Sequence, residues 1–381
     1  MLKIVIIAGE ASGDALAGGL IRELRRIYPE ASFAGVTGSS MRREGCESWG
    51  DIEQLAVMGL LEVIRHLPRI RRLKRAIEDR LRADPPDILI GVDAPDFNLR
   101  IEKHARSLGI RTVQYVCPSV WAWRSGRVKT IREACDHVLC LLPIEPGFLE
   151  EHGIEATFVG HPLADQIAGD NDKSASRHAL GLQDGPIVAL LPGSRRAEIE
   201  RLGRVFLQAA EQVRENDASV SFVVAAASPK IARLIEAQCE GSKLGDSLRV
   251  VTSRTREVIS AADTVLVTSG TATLETMLLH RPMVVAYRFA PFTAWFLKSF
   301  MLNIERFSLP NILANDDLVP EYLQGEASAP ALGAAVLEQL RDETGCNRMV
   351  ARFRELADQM RCSADERAAA AIANVLTDKA E

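Results

Sequence analysis

The sequence predicts an α/β protein of two doubly wound domains, and three observations carry that prediction. The chain has 381 residues, more than the roughly 250–300 over which one hydrophobic core keeps growing. Short β-branched runs bounded by turn residues alternate with segments of helical period, the pattern of βαβ units feeding a parallel sheet. The alternation then restarts near residue 185, giving a second half built like the first.

In the first half the runs are 3–8, 32–37, 87–92, 111–116, 136–142 and 155–159. They are apolar on both faces, as buried parallel strands are. After the first run, Leu16, Leu20, Leu24 and Ile27 recur at three- and four-residue spacing and mark one helix face. The second half has runs 186–191, 219–226, 248–252, 263–268 and 282–287, with an amphipathic helix carrying Ile199, Leu202, Phe206, Ala209 and Val213. Polar residues fill 164–185, among them Gly169-Asp170-Asn171-Asp172-Lys173-Ser174, so the domain boundary belongs there. From about 330 onward the chain is rich in Ala, Glu and Arg and reads as terminal helices that pack back across the domains. The expected division is 1–165, 166–345 and 346–381.

Hydrophobic residues make up 47% and charged residues 25% of the chain, which excludes disordered and fibrous classes. A net charge of −5 gives no general attraction for nucleic acid, so phosphate or anionic lipid must be met by local basic clusters. Seven cysteines without a CxxC pair read as reduced and intracellular, and neither they nor the histidines have zinc-site spacing, so no metal is expected. The apolar run at the N-terminus is too short for a signal segment. No uncharged apolar stretch reaches the roughly 18 residues of a spanning helix, so any membrane attachment is peripheral.

The motifs that carry chemistry sit where doubly wound folds place ligands, at strand carboxyl ends. The first strand runs into Gly9-Glu10-Ala11-Ser12-Gly13-Asp14, which is not the G-x-G-x-x-G dinucleotide pattern. This loop is either a ligand loop or a tight turn capped by Ser12 or Asp14. The run 87–92 ends in Asp93-Ala94-Pro95-Asp96, and a carboxylate there suits the general base that a sugar hydroxyl needs. The alternative for Asp93 is an Asx turn, with Asp96 the better cap. Strand 186–191 opens into Gly193, Ser194 and Arg195 before a helix, a turn suited to a diphosphate, or else a capped helix with solvated arginines. A second such junction, Ser269-Gly270-Thr271, leads to Glu275, which no capping box claims and which is open to ribose hydroxyls. Tyr287 and Arg288 end strand 282–287 with groups suited to a base, although Tyr there also packs.

Val57, Met58, Leu60 and Leu61 flow into Arg65, Arg69, Arg71, Arg72, Lys74 and Arg75, an apolar stripe beside a basic face that suits a membrane surface. Residues 292–304 are aromatic-rich and read better as core than as an acyl-binding wall. The one literal DxD, Asp170-Asn171-Asp172, lies in the linker, which disfavours a metal-dependent transferase.

Together these segments resemble the lipid-A-disaccharide synthase family, inverting glycosyltransferases of GT-B fold. The resemblance rests on Gly9 to Asp14, Ala56-Val57-Met58-Gly59, Asp93 to Asn98, Pro118-Ser119-Val120-Trp121-Ala122-Trp123-Arg124, Gly160-His161, Leu190 to Arg195, Ser269 to Ala272, Ser308-Leu309-Pro310-Asn311 and Arg361 to Glu366. It implies two facing domains, an N-terminal acceptor and lipid domain and a C-terminal UDP-sugar domain. It implies transfer of 2,3-diacylglucosamine from its UDP derivative to 2,3-diacylglucosamine 1-phosphate, giving a β(1→6) disaccharide 1-phosphate and UDP. Asp93 is then the base or an acceptor-orienting carboxylate, Arg195 holds the diphosphate, and Glu10 and Asn311 join the cleft. The resemblance also implies work at the inner face of the cytoplasmic membrane, no cofactor, and a homodimer with exchanged terminal helices. Rival readings are a UDP-sugar 2-epimerase and a membrane-peripheral sensor without turnover.

Overall fold

The structure, a computed structural model, describes residues 1–55, 60–118, 127–167, 172–289 and 306–377, and of residues 60–66 only the backbone. It divides into two compact units: Met1–Asp165 with Gln359–Glu381, and Gln166–Asp358.

The first unit is built on β1 (Lys3–Ala8), β2 (Ser32–Thr37), β3 (Glu47–Asp51), β4 (Ile88–Val92), β5 (Arg111–Tyr115), β6 (His137–Cys140) and β7 (Ala156–Phe158). They form one parallel sheet in the order β3-β2-β1-β4-β5-β6-β7. Its central strands are buried on both sides because helices cover both faces. Helix Ala11–Ile27 packs one face through Ala17, Leu20, Ile21 and Leu24, each fully buried. The expected face is therefore rotated: Leu16 is half-buried and Ile27 is 46% exposed. The small residues set this rotation, since a Cβ on Gly19 would lie 2.2 Å from the Asp365 carboxylate on the last helix. The opposite face takes Leu73, Ile77 and Leu81 from helix Leu60–Ala83, and Ile101 and Ala105 from helix Pro95–Ser107.

The last helix, Ala364–Thr377, closes this core with Ala368, Ala369 and Ile372. Two of the quoted motifs meet at that seam. Asp165 accepts from the backbone N–H groups of Ser363 (3.0 Å) and Ala364 (2.7 Å), and the His161 N–H donates to the Met360 carbonyl (3.0 Å). The return to the first unit starts at Gln359 rather than 346, because helix Ala329–Arg341 and most of Glu343–Met360 stay with the second unit.

The second unit carries β8 (Ile187–Leu191), β9 (Ser221–Ala226), β10 (Leu248–Thr252), β11 (Thr264–Thr268), β12 (Met283–Tyr287) and β13 (Glu321–Leu323). They too are parallel, in the order β10-β9-β8-β11-β12-β13. Ile199, Leu202, Phe206, Ala209 and Val213 are all buried against it, on a π turn, Ile199–Gly203, running into helix Arg204–Asn216. Strands β3 and β13 are absent from the sequence reading: Glu-Ser-Trp-Gly-Asp is polar, and Glu-Tyr-Leu is three residues long. Both lie at sheet edges, where burial imposes no apolar pattern.

Candidate active site

In each sheet the strand order reverses once, between β1 and β4 in the first and between β8 and β11 in the second. The carboxyl ends at such a reversal diverge and leave a crevice, which is where open α/β sheets bind ligands. The four junctions singled out in the sequence are the loops that leave these four strands.

At the first reversal, Asp93 and Ala94 have φ of 56° and 42°, and Val116, just beyond β5, has φ of 80°. Left-handed backbone costs about 1–3 kcal/mol at a non-glycine residue, and a β-branched valine there is an outlier. The surrounding structure holds it. The Asn98 amide donates to the carbonyls of Ile7 (3.2 Å), Val92 (3.3 Å) and Asp93 (2.7 Å). The Gln114 amide is shared among the carbonyls of Asp93 (3.3 Å), Tyr115 (3.3 Å) and Val116 (3.2 Å). Gly9 is required by the same turn, since a Cβ there would lie 2.1 Å from the Ala94 Cβ. Glu10, half-buried, stands at the N-cap position of helix Ala11–Ile27 without a side-chain capping bond.

Two capping expectations are corrected. Asp14 does not cap its own helix: it is 3% exposed and accepts from the backbone of Gly38 (2.8 Å), Ser40 (2.7 Å) and Met41 (3.1 Å), capping Ser39–Arg43 instead. Asp96 is no cap either; Ala94 holds that position and Asp96 pairs with Arg127.

At the second reversal the turns around Arg195 and Ser269 converge. Gly193, Ser194, Arg195, Thr268 to Ala272 and Glu275 line one cavity of about 310 Å³, inside the second unit. Thr268 is 5% exposed and its hydroxyl has no partner. Helix Thr271–Leu278 opens here with no side-chain cap on its first N–H groups. Sequence reasoning passed over Thr268 because a strand-end threonine has no spacing signal; its orphaned hydroxyl is visible only in three dimensions.

The charged groups around this cavity are already engaged. Glu198 accepts from the backbone N–H groups of Ser194 (3.0 Å) and Arg195 (3.2 Å) and pairs with the Arg195 guanidinium (3.4 Å). The helix expected after this turn begins as the three residues Arg196–Glu198, and the backbone N–H groups of the turn are taken by a carboxylate. Glu275, expected to be open, pairs with Arg256 at 2.9 Å. Arg288 donates to the carbonyls of Gln324 (3.2 Å) and Ala327 (2.7 Å) rather than to a base. Tyr287 stacks edge-to-face on Phe289 with centroids 4.7 Å apart, and burial raises its phenol pKa.

Asn311 braces the loop that follows its helix. It is 2% exposed, and its amide exchanges two bonds with the Val319 backbone, at 2.9 and 2.8 Å. The larger depression of about 550 Å³ beside it is lined by Asp317, Glu321, Glu338 and Asp342, which suits no diphosphate. His161 accepts the Leu163 N–H at 3.1 Å, and desolvation pushes its pKa down to about 4, so the ring packs and caps in its neutral form. Cys140 neighbours Cys117 and Glu145, with three potential ligand atoms within 4.8 Å of one another. Cys117 donates to the Pro118 carbonyl (3.3 Å) and Glu145 accepts from Leu142 (3.1 Å), ordinary packing bonds.

On helix Leu60–Ala83, Arg69, Arg71, Arg72 and Arg75 are exposed while Leu73 and Ile77 are buried. Val57 and Met58 lie outside the described residues, as do the side chains of Leu60, Leu61 and Arg65 and residues 292–304. Among the described residues no helix is long and apolar enough to cross a membrane.

The sequence pattern of the lipid-A-disaccharide synthetase family matches residues 4–372. A lipid-A-disaccharide synthase of Xylella fastidiosa (strain M12) is 48% identical over 380 residues, covering 99% of each chain. That of Xanthomonas campestris pv. campestris (strain 8004) is 47% identical over 99% of this chain and 87% of its own. Among solved structures, the S. aureus MnaA-UDP co-structure aligns with a TM-score of 0.63 at 13% identity, over 98% of this chain and 95% of that one. WaaG, a glycosyltransferase involved in lipopolysaccharide biosynthesis, aligns at 0.60 and 13% identity, over 99% and 100%. At such identities the likeness speaks to fold alone, and a UDP-GlcNAc 2-epimerase from Neisseria meningitidis shares it at 0.59, so the fold does not separate transferase from epimerase and the family does. With that pattern running along nearly the whole chain, the protein belongs to the lipid-A-disaccharide synthetase family and is an enzyme, a UDP-sugar glycosyltransferase that forms the lipid A disaccharide.

Proposed function

We propose that the donor is UDP-2,3-diacylglucosamine and the acceptor 2,3-diacylglucosamine 1-phosphate, joined through a β(1→6) bond. The observation that carries the donor side is the cavity at the β8/β11 reversal, where an orphaned buried hydroxyl (Thr268), an uncapped helix opening (Thr271) and Arg195 line one space. A diphosphate there meets backbone N–H groups and a guanidinium, which stabilise the charge that grows on UDP as it leaves. In this reading Glu275 accepts hydrogen bonds from the ribose hydroxyls and Tyr287 flanks the base.

On the acceptor side, Asp93 is the base. Its carboxylate takes the proton of the acceptor 6-hydroxyl as that oxygen bonds to the donor C1 and the bond from C1 to the UDP oxygen breaks, so one displacement inverts the anomeric centre. The backbone strain at Asp93 and Ala94 supports this assignment, because such outliers persist where a side chain must be held in one place. Glu10, one residue beyond the Gly9 that packs on Ala94, orients the acceptor. Arg195 and the helix opening supply the positive charge that stabilises the anionic leaving group, so the reaction needs no divalent metal. The exposed arginines at 69, 71, 72 and 75 support docking on the anionic inner face of the cytoplasmic membrane.

Mass spectrometry of a reaction containing both substrates, with and without EDTA, tests this. Equal amounts of disaccharide 1-phosphate and UDP, unchanged by EDTA, are expected. Donor consumption without disaccharide overturns the substrate assignment, and loss of product in EDTA overturns the metal-free one.

A further inference from the structure

Beneath Asp93 lies a buried polar group that the reaction does not touch. Helix Pro95–Ser107 presents Asn98 and Glu102, four residues apart on one face, and both are fully buried against the sheet. In the sheet Gly91 pairs with Gln114, so the Gln114 side chain stands over the glycine. A Cβ on Gly91 would lie 2.1 Å from Glu102 Oε1 and 3.0 Å from Gln114 Oε1. The glycine thus leaves a space into which both oxygens project.

Neither oxygen has a partner at normal hydrogen-bond geometry, the Gly91 N–H only approaching the Glu102 carboxyl. The Gln114 amide cannot be turned to relieve this, because its nitrogen is the atom facing the carbonyls of Asp93, Tyr115 and Val116, and a flip would set oxygen against three oxygens. The other carboxyl oxygen, Glu102 Oε2, accepts from the Cys135 thiol at 3.1 Å. The Arg106–Asp136 pair, at 3.2 Å, lies beyond that cysteine. Two acceptor oxygens sharing a dry space require a proton between them.

We propose that Glu102 is a positioning residue held as a neutral acid, its hydroxyl donating to Gln114 Oε1 so that the Gln114 amide is locked onto the strained carbonyls that aim Asp93. The relay runs from the Cys135 S–H to Glu102, from the Glu102 O–H to Gln114, and from the Gln114 N–H groups to Asp93 and Val116. Burial raises the Glu102 pKa to about 8, against the opposing pull of the Cys135 thiol and the Gly91 N–H, which agrees with the neutral form. The functional half rests on Asp93 being the base; the protonation half does not.

Two variants test it in the full-length enzyme. Glu102→Gln replaces the acid hydroxyl by an amide N–H with the same reach, and kcat is expected to stay within about threefold of wild type. Glu102→Leu leaves Gln114 Oε1 unpaired, and kcat is expected to fall about tenfold or more with donor KM unchanged. The infrared difference spectrum of wild type minus Glu102→Gln at pH 7 should show a protonated carboxyl C=O band, a readout that survives if Glu102→Leu does not fold. A carboxylate band in its place, or Glu102→Gln losing as much kcat as Glu102→Leu, overturns the proposal. If Asp93→Asn keeps full activity while the protonated band is present, the base assignment has failed and the neutral acid stands.

Discussion

The two strand-order reversals are built by opposite means. At the first, non-glycine residues adopt left-handed backbone and buried amides from Asn98 and Gln114 hold them there. At the second, Gly193 and Gly270 take positive φ of 129° and 153° without a side chain to strain, and the charges are settled by partly exposed pairs, Arg195 with Glu198 and Arg256 with Glu275. Exposed pairs are worth about 0.2–1 kcal/mol and exchange readily, whereas a buried amide network does not yield without leaving polar atoms orphaned. A base must be held within tenths of an ångström, while a donor site must take up and release a nucleotide at each turnover.

The largest effect expected from this contrast is on catalysis at the rigid edge. Asp93→Asn should lower kcat by about 10²–10⁴-fold with donor KM little changed. Its melting temperature should move little, since the bonds from Asn98 and Gln114 end on the Asp93 main-chain carbonyl, which the variant keeps. A loss of kcat below tenfold removes Asp93 as the base.

Next comes a matched pair of glycines. Gly9→Ala puts a Cβ 2.1 Å from the Ala94 Cβ, whereas a Cβ on Gly270 meets no atom within 4 Å. Gly9→Ala should therefore cost about 1–3 kcal/mol in urea unfolding and displace the Asp93 turn, lowering kcat. Gly270→Ala should show only the strain of its φ, about 1 kcal/mol, with kcat kept. Equal losses from the two would end the distinction between a packed edge and an open one.

Much of this was legible in the sequence, for reasons that differ by element. The buried central strands announce themselves because both their faces are apolar, and the four strand-end junctions follow from where glycines and small polar residues interrupt those runs. The readings of Asp93 and Arg195 rest on that same logic. What failed was the pairing of charges: Asp14 reads as the cap of its own helix but serves Ser39–Arg43, and Glu275 reads as open but meets Arg256. Such partners are remote in sequence, and a carboxylate carries no mark of which donors will surround it. The Asn311 amide likewise meets a partner, Val319, that its motif does not reveal. Asn98 and Glu102 left a signal at helical spacing, yet polar residues at that spacing read as solvated until burial is known.

The rigid edge should also respond to pH in a way the open edge does not. Glu102, raised from 4.5 to about 8, binds its proton more tightly folded than unfolded, so its contribution to stability is complete below pH 4.5 and is lost as pH rises towards 8. His161, lowered from 6.5 to about 4, runs the other way: its contribution is complete above pH 6.5 and is lost as pH falls towards 4. Unfolding free energies measured by urea titration should show Glu102→Gln gaining on wild type between pH 5 and 8, by at most about 1.4 kcal/mol per pH unit. A difference that stays flat over that window means that Glu102 is ionised in the folded protein.

The smallest effect should lie at the open edge. Glu275 has a side chain 18% exposed and Arg256 one 45% exposed, so loss of their pair through Glu275→Gln should change stability by less than about 1 kcal/mol. If the carboxylate also accepts ribose hydroxyl protons, the same variant should raise donor KM several-fold while leaving kcat alone, the mark of binding energy equal in ground and transition states. Arg256→Gln breaks the same pair but leaves the Glu275 carboxylate available to a ribose, so its donor KM should not rise. Matching KM changes in the two variants would make the ion pair itself the source, and the open edge would then be holding its donor by preformed structure, as the rigid edge holds its base.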